Sequence, residues 1–182
     1  NKFLALADAT DNNGTGLTQA EYALLGMTAL DSAAKVALAN DIADVLSATN
    51  VDSAAELTAI ATAAGKVIAT AAATSLFGAP NPALTVADFT ALGITGVTSG
   101  NLATVIANII ATANDGSAVD TLAELQALVN ASALQALQDA AAALIAQYDG
   151  TNTVPVTADY LSAGVVGVSP SNIAAVNAMV GP

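Results

Sequence analysis

Fifteen carboxylates, three lysines and no histidine or cysteine define the chemistry open to this chain. Without imidazole or thiol there is no triad base, no cysteine nucleophile and no zinc site built on those ligands. Paired carboxylates could still pass protons, but their spacing argues for another task. Thr18 precedes Glu21, Ser53 precedes Glu56, Thr121 precedes Glu124 and Thr85 precedes Asp88, each by three positions. A hydroxyl followed by an acid at that interval is a capping box, whose two side chains satisfy the free N–H groups at a helix start. Asp159 falls in the matching place of a further such segment. A carboxylate in the first helical turn also meets the positive end of the helix dipole, a gain of about 0.3–1 kcal/mol. These acids are expected to start helices; no catalytic residue and no enzymatic activity is predicted.

Calcium is the ion whose hard oxygen ligands the loops could supply. The residues it would use are Asp8, Asp11 and Asn13 in one Asp/Asn/Gly loop, Asp115 beside Gly116, and Asp149 beside Gly150. An EF-hand register beginning at Asp11 places Asn13, Thr15 and Gly16 acceptably. Its closing acid then arrives one position early, at Glu21, and Tyr22 stands where the bidentate glutamate belongs. Asp/Asn/Gly clusters are also ordinary turn chemistry. The expectation is a fold that requires no cofactor and no metal.

The elements that must hold these residues are helical. Alanine makes up about a quarter of the 182 residues; it loses no side-chain entropy in a helix and lets neighbouring helices approach closely. Aromatic residues are only 3% of the chain, so the core must be assembled from Ala, Leu, Val and Ile. The formal charge of −12, with Lys2, Lys35 and Lys66 as the sole cations, excludes a phosphate-tracking groove. Nucleic acid and anionic membrane surfaces are therefore not expected partners. No uninterrupted apolar run reaches the roughly 18 residues of a membrane span, so no membrane insertion is predicted. The absence of cysteine suits an exported bacterial protein. A chain that opens at Asn1 without Met fits a segment cut from a longer one.

Self-similarity organises the chain. Thr18 to Leu30, Thr85 to Val97 and Thr157 to Val168 share an alanine, an acid, an aromatic, three residues, a glycine and an apolar residue. A second block, Val51 to Ile60, matches Val119 to Leu128. The offsets agree: Tyr22 to Phe89 is 67 positions, Val51 to Val119 is 68, and Phe89 to Tyr160 is 71. The predicted fold is all-α, with tandem helical repeats of about 67–71 residues packed as a solenoid or as successive small bundles. Residues 1–16 read as the tail of a preceding repeat, 17–83 as the first unit, 84–155 as the second and 156–182 as the first half of a third. Helix starts are expected near Thr18, Asp31, Ser53, Thr85, Thr98, Thr121 and Ser169, the last with Pro170 at the first helical position. Each unit should hold a short helix, a glycine turn, a longer helix and two more helices. Tyr22, Phe89 and Tyr160, the fixed aromatics of the repeat, are expected to be buried anchors.

The segments Leu84 to Val97, Asn101-Leu102 and Val119 to Leu128 resemble the helical repeats of very long bacterial surface proteins, the repetitive adhesins and biofilm-associated exoproteins. The resemblance covers most of residues 17–182 and lies in repeat style. It implies secretion, display on the bacterial cell surface and a spacer or adhesion role, with adjacent repeats of the same longer chain as first partners. It also implies calcium between modules, although the dense Asp ladders of the calcium-bound β-type modules are missing here. Two readings follow: a non-enzymatic structural spacer, or a binding module whose grooves between helices hold a peptide, carbohydrate or partner protein.

Overall fold

The computed structural model describes residues 16–46, 51, 53–73, 83–113 and 115–181. Among them are eight helices and no strand. These are α1 (Gln19–Leu24), α2 (Ala33–Val45), α3 (Ala54–Ala71), α4 (Val86–Ala91), α5 (Leu102–Ile110), α6 (Leu122–Ala146), α7 (Thr157–Ser162) and α8 (Ile173–Val180). The chain divides into two compact units, Asn1–Ser132 and Ala133–Pro182.

Local chemistry explains most helix starts. Thr18, Ser53 and Thr85 cap α1, α3 and α4 through complete capping boxes with Glu21, Glu56 and Asp88. At the head of α6 the Thr121 hydroxyl donates to Glu124 at 2.8 Å and accepts from the Glu124 N–H at 3.2 Å. Three starts depart from the sequence expectation. Ser32, not Asp31, caps α2, and Asp31 instead pairs with Lys35 at 2.6 Å. Thr98 and Ser169 lie in turns ahead of their helices, which begin at Leu102 and Ile173. In each turn an asparagine holds both sides. The Thr98 N–H donates to Asn101 Oδ1 at 2.7 Å, and Asn101 Nδ2 donates to the Gly96 carbonyl at 2.8 Å. Ser169, Asn172 and Gly167 repeat the arrangement at 2.7 and 2.9 Å. Pro170 consequently sits in a turn rather than at the first helical position.

The short helices α1, α4 and α7 all end the same way. In the middle case Gly93 donates to the Thr90 carbonyl and Ile94 to the Phe89 carbonyl, both at 3.0 Å. This pair of bonds is a Schellman cap, which places its glycine in the left-handed region. Gly26, Gly93 and Gly164 accordingly have φ of 86°, 72° and 80°.

In the first unit α3 packs on α2, α4 and α5, and one apolar cluster runs from Leu17 to Val129. Tyr22 and Phe89 are buried in it as expected. The second unit is thinner. Tyr160, Ala141 and Asn177 are buried, whereas Leu137, Leu161, Val166 and Met179 are exposed.

Two separate helices were expected between Thr121 and Asp149, but α6 runs unbroken for 25 residues. Ser132 would interrupt it by competing for backbone bonds; its hydroxyl instead returns to the Leu128 carbonyl at 2.7 Å. At mean hydropathy 1.2, α6 is long and apolar enough to cross a membrane by length and composition alone, although it holds no uninterrupted apolar run of that length. Alanine raises the average, while Gln126, Asn130, Gln135, Gln138 and Asp139 interrupt every run.

Candidate functional site

The carboxylates singled out by spacing are engaged at helix starts. Glu21 accepts from the Thr18 N–H at 2.7 Å and Glu56 from the Ser53 N–H at 3.0 Å. Asp88 accepts from Thr85 N–H at 2.8 Å through one oxygen and from Lys66 Nζ at 2.7 Å through the other. Burial opposes its ionisation, but the bonds from Lys66 and Thr85 win and hold the carboxyl below its usual range. Asp159 accepts from the Val156 N–H at 2.7 Å. Valine has no hydroxyl to return the bond, so α7 starts on half a box. Asp120 and Glu124 form the closest approach to a paired acid: burial, then the charge and hydrogen bond of Glu124, push Asp120 up. Glu124 also accepts from the Thr121 hydroxyl at 2.8 Å.

The calcium expectations divide. Asp8, Asp11 and Asn13 lie outside the described residues. Asp115 Oδ1 accepts from the backbone N–H and hydroxyl of Ser117 at 3.0 and 2.8 Å. Asp149 Oδ1 accepts from the N–H and hydroxyl of Thr151 at 2.9 and 2.8 Å and from the Asn152 N–H at 3.1 Å. These bonds lower both carboxyls below their ordinary values. In each loop Oδ1 of the named aspartate is turned inward to its own backbone and a neighbouring hydroxyl. Among the described residues no three acidic side chains converge as a metal cluster.

Sequence reasoning missed the polar contacts between distant segments. Tyr22 donates its hydroxyl to Asn40 Oδ1 at 2.9 Å, and Asn40 also bridges both backbone groups of Leu17. Burial pushes the Tyr22 phenol far above its ordinary value. Tyr160 and Asn177 form the same pair at 2.6 Å, with Asn177 Nδ2 donating to the Pro155 carbonyl. Phe89 has no hydroxyl, and Val105 and Ile106 stand where the following repeat has Val176 and Asn177. That covariation between aromatic and partner was the available signal. Asp41 accepts from the Leu122 N–H, capping α6 from 81 positions away. Gln126 on α6 both accepts from the Thr95 N–H and donates to its carbonyl, each at 3.0 Å.

Two open grooves flank Gly93. One, of about 390 Å³, is lined by Leu46, Glu56, Ile60, Thr90 and Ala91. The other, of about 460 Å³, is lined by Asp41, Val45, Thr121, Leu122 and Gln126. Both are open and mix apolar walls with a carboxylate.

No protein-family model matches this chain, and neither the curated proteins nor the solved structures contain a match to it.

Proposed function

We propose that this chain is a non-enzymatic, structural helical-repeat segment that spaces the adhesive parts of a secreted or cell-surface bacterial protein. One observation carries the reading. Helix α3 belongs to the first sequence repeat, yet it packs on α4 and α5 of the second and sends Lys66 to Asp88 at 2.7 Å. The junction between those repeats is thus core rather than linker, which suits a stiff solenoid whose neighbours bury one another. Adjacent repeats of the same chain are its first partners, in a biofilm or cell-adhesion setting, and its acidity disfavours nucleic acid.

The test is extension against copy number. Chains carrying one, two and four copies of residues 17–155 should lengthen in proportion to copy number in small-angle scattering. Growth as roughly the square root of copy number, the law of a flexible linker, would remove the spacer role. The alternative, a groove-binding module for a peptide, carbohydrate or partner protein, draws its support from the two grooves beside Gly93. It predicts a ligand whose affinity falls when Gln126 is changed to Ala.

A further inference from the structure

We propose that Asp149 is a site of spontaneous covalent modification, where the chain closes a succinimide ring with Gly150 and reopens as isoaspartate, while the fold protects the other Asp-Gly pair, Asp115-Gly116. These are the two Asp-Gly steps in the sequence. The chemistry belongs to the dipeptide. The Gly150 backbone nitrogen attacks the Asp149 carboxyl carbon, a C–N bond forms, and the carboxyl OH leaves as water with the amide proton. Water then adds to the ring. Opening at the main-chain carbonyl gives isoaspartate, and opening at the former side-chain carbonyl restores aspartate. Nothing is oxidised or reduced. Glycine permits the attack because no β-carbon shields its nitrogen.

The two carboxyls are prepared alike. Both aspartates are exposed. Asp149 Oδ1 accepts from the N–H and hydroxyl of Thr151 and from the Asn152 N–H. Asp115 Oδ1 accepts from the N–H and hydroxyl of Ser117. The donors fix Oδ1 as the carbonyl oxygen, so the proton of the neutral acid belongs on Oδ2, the oxygen that leaves. Donors already gathered on Oδ1 also stabilise the charge it gains when the nitrogen attacks. The same bonds hold both acids below their ordinary values, so each reacts slowly, through a minor neutral fraction.

The glycines differ. Gly116 is buried; its N–H donates to the Ala113 carbonyl and its carbonyl accepts from the Val119 N–H, each at 3.1 Å. A β-carbon on Gly116 would stand 2.9 Å from Ile68 Cγ2 and 3.5 Å from Ala34 Cβ. Its peptide plane therefore has little room to turn toward the Asp115 side chain. Gly150 is exposed, with nothing within 4 Å of its β-carbon position. Its N–H donates to no group among the described residues. Ring closure at Gly116 must first break two backbone bonds and lift the turn off Ile68, whereas closure at Gly150 meets neither obstacle. Isoaspartate would add one carbon to the main chain and remove the oxygen that ties Thr151 and Asn152, loosening the loop between α6 and α7. None of this rests on the spacer reading.

The test is site-resolved peptide mapping of the whole chain after prolonged warm incubation. Isoaspartate is identified by electron-driven fragmentation and by labelling with an isoaspartyl-specific carboxyl methyltransferase. In the folded chain it should accumulate at least about tenfold faster at Asp149 than at Asp115, a barrier difference of about 1.4 kcal/mol. In denaturant the two rates should converge, because Gly116 is released. Gly150→Ala should remove most of the product at Asp149 and leave Asp115 unchanged. If that variant loses helix, Asp149→Glu, whose longer arm closes no five-membered ring, serves in its place. Equal rates at the two sites in the folded chain, or a ratio that denaturant leaves unaltered, would overturn the proposal. So would a folded chain with no isoaspartate at Asp149, by showing that the bonds from Thr151 and Asn152 protect the carboxyl.

Discussion

Residues 84–110 and 155–180 are assembled from the same parts and reach different states. Each has a six-residue helix, a buried aromatic, a Schellman glycine and an asparagine-held turn before a second helix. Around Phe89 those parts pack on α3, and Leu92, Ile94, Val105 and Ile109 are all buried. Around Tyr160 the burial shrinks to Pro155, the aromatic and Asn177, and a hydrogen bond of 2.6 Å fixes the ring. Local motifs thus specify the shape of the element, while neighbours specify how much apolar surface it hides. A motif can be correctly formed and still contribute little hydrophobic stability.

The largest expected effect tests that division directly. Phe89→Ala should cost about 3–5 kcal/mol in chemical denaturation, the loss typical of a fully buried ring. Tyr160→Phe should cost about 1–3 kcal/mol, because Asn177 loses a buried partner while the ring remains. Equal losses for the two would mean that packing around the rings does not differ as described.

A smaller effect lies at Lys66, whose ion pair with Asp88 is largely shielded on both sides. Lys66→Met should lose about 1–3 kcal/mol at neutral pH, in the range of hydrogen bonds to charged groups. The folded-state carboxyl of Asp88 is lowered relative to the unfolded chain. Its contribution is therefore complete above the unfolded value of about 3.9 and fades as pH falls through the folded one. Acid denaturation followed by circular dichroism should show a shallower stability loss below pH of about 4 in Lys66→Met than in the parent.

The glycine turns separate the two regions again. Gly93→Ala puts a β-carbon in left-handed backbone and 3.3 Å from Leu46 Cδ2, whereas at Gly164 nothing lies within 4 Å. Left-handed backbone alone costs about 1–2 kcal/mol for a residue with a β-carbon. Thermal melts should show at least that loss at Gly93 and no more than that loss at Gly164.

The smallest expected effect concerns calcium. A specific site would add about 2.7 kcal/mol at 100 times its dissociation constant. Screening of the −12 charge should instead give slight stabilisation, similar for calcium, magnesium and salt-matched sodium. A calcium-only rise in melting temperature that Asp149→Ala removes would make Asp149 an ion ligand.

What was legible in the sequence is what closes locally. Thr18, Ser53, Thr85 and Thr121 announce their helices because box and backbone lie within one turn. The aromatic anchors were legible because they recur with their glycine. Thr98 and Ser169 misled because the asparagine three residues later also reaches back to the Gly96 or Gly167 carbonyl and holds the intervening residues in a turn, so the helices begin only at Leu102 and Ile173. The unbroken α6 was hidden because whether Ser132 breaks a helix depends on where its hydroxyl turns. Gln126 with Thr95, Asp41 with Leu122 and Lys66 with Asp88 could not be read at all, since residues far apart in the chain meet only after packing.

Because every capping box closes within one turn, a duplication of the coding segment copies its helix starts ready to fold. The bond from Lys66 to Asp88 is different, since it joins residues of two neighbouring copies. Sixty-eight positions after Lys66 stands Leu134, and seventy-one after Asp88 stands Asp159, so the later pair of positions no longer has a cation to match its acid. Drift at such sites alters the strength of a junction without touching the helices on either side. In the proposed array, joints graded in this way would yield in sequence under a pulling force, weakest first, and lengthen it by steps before any single helix start failed.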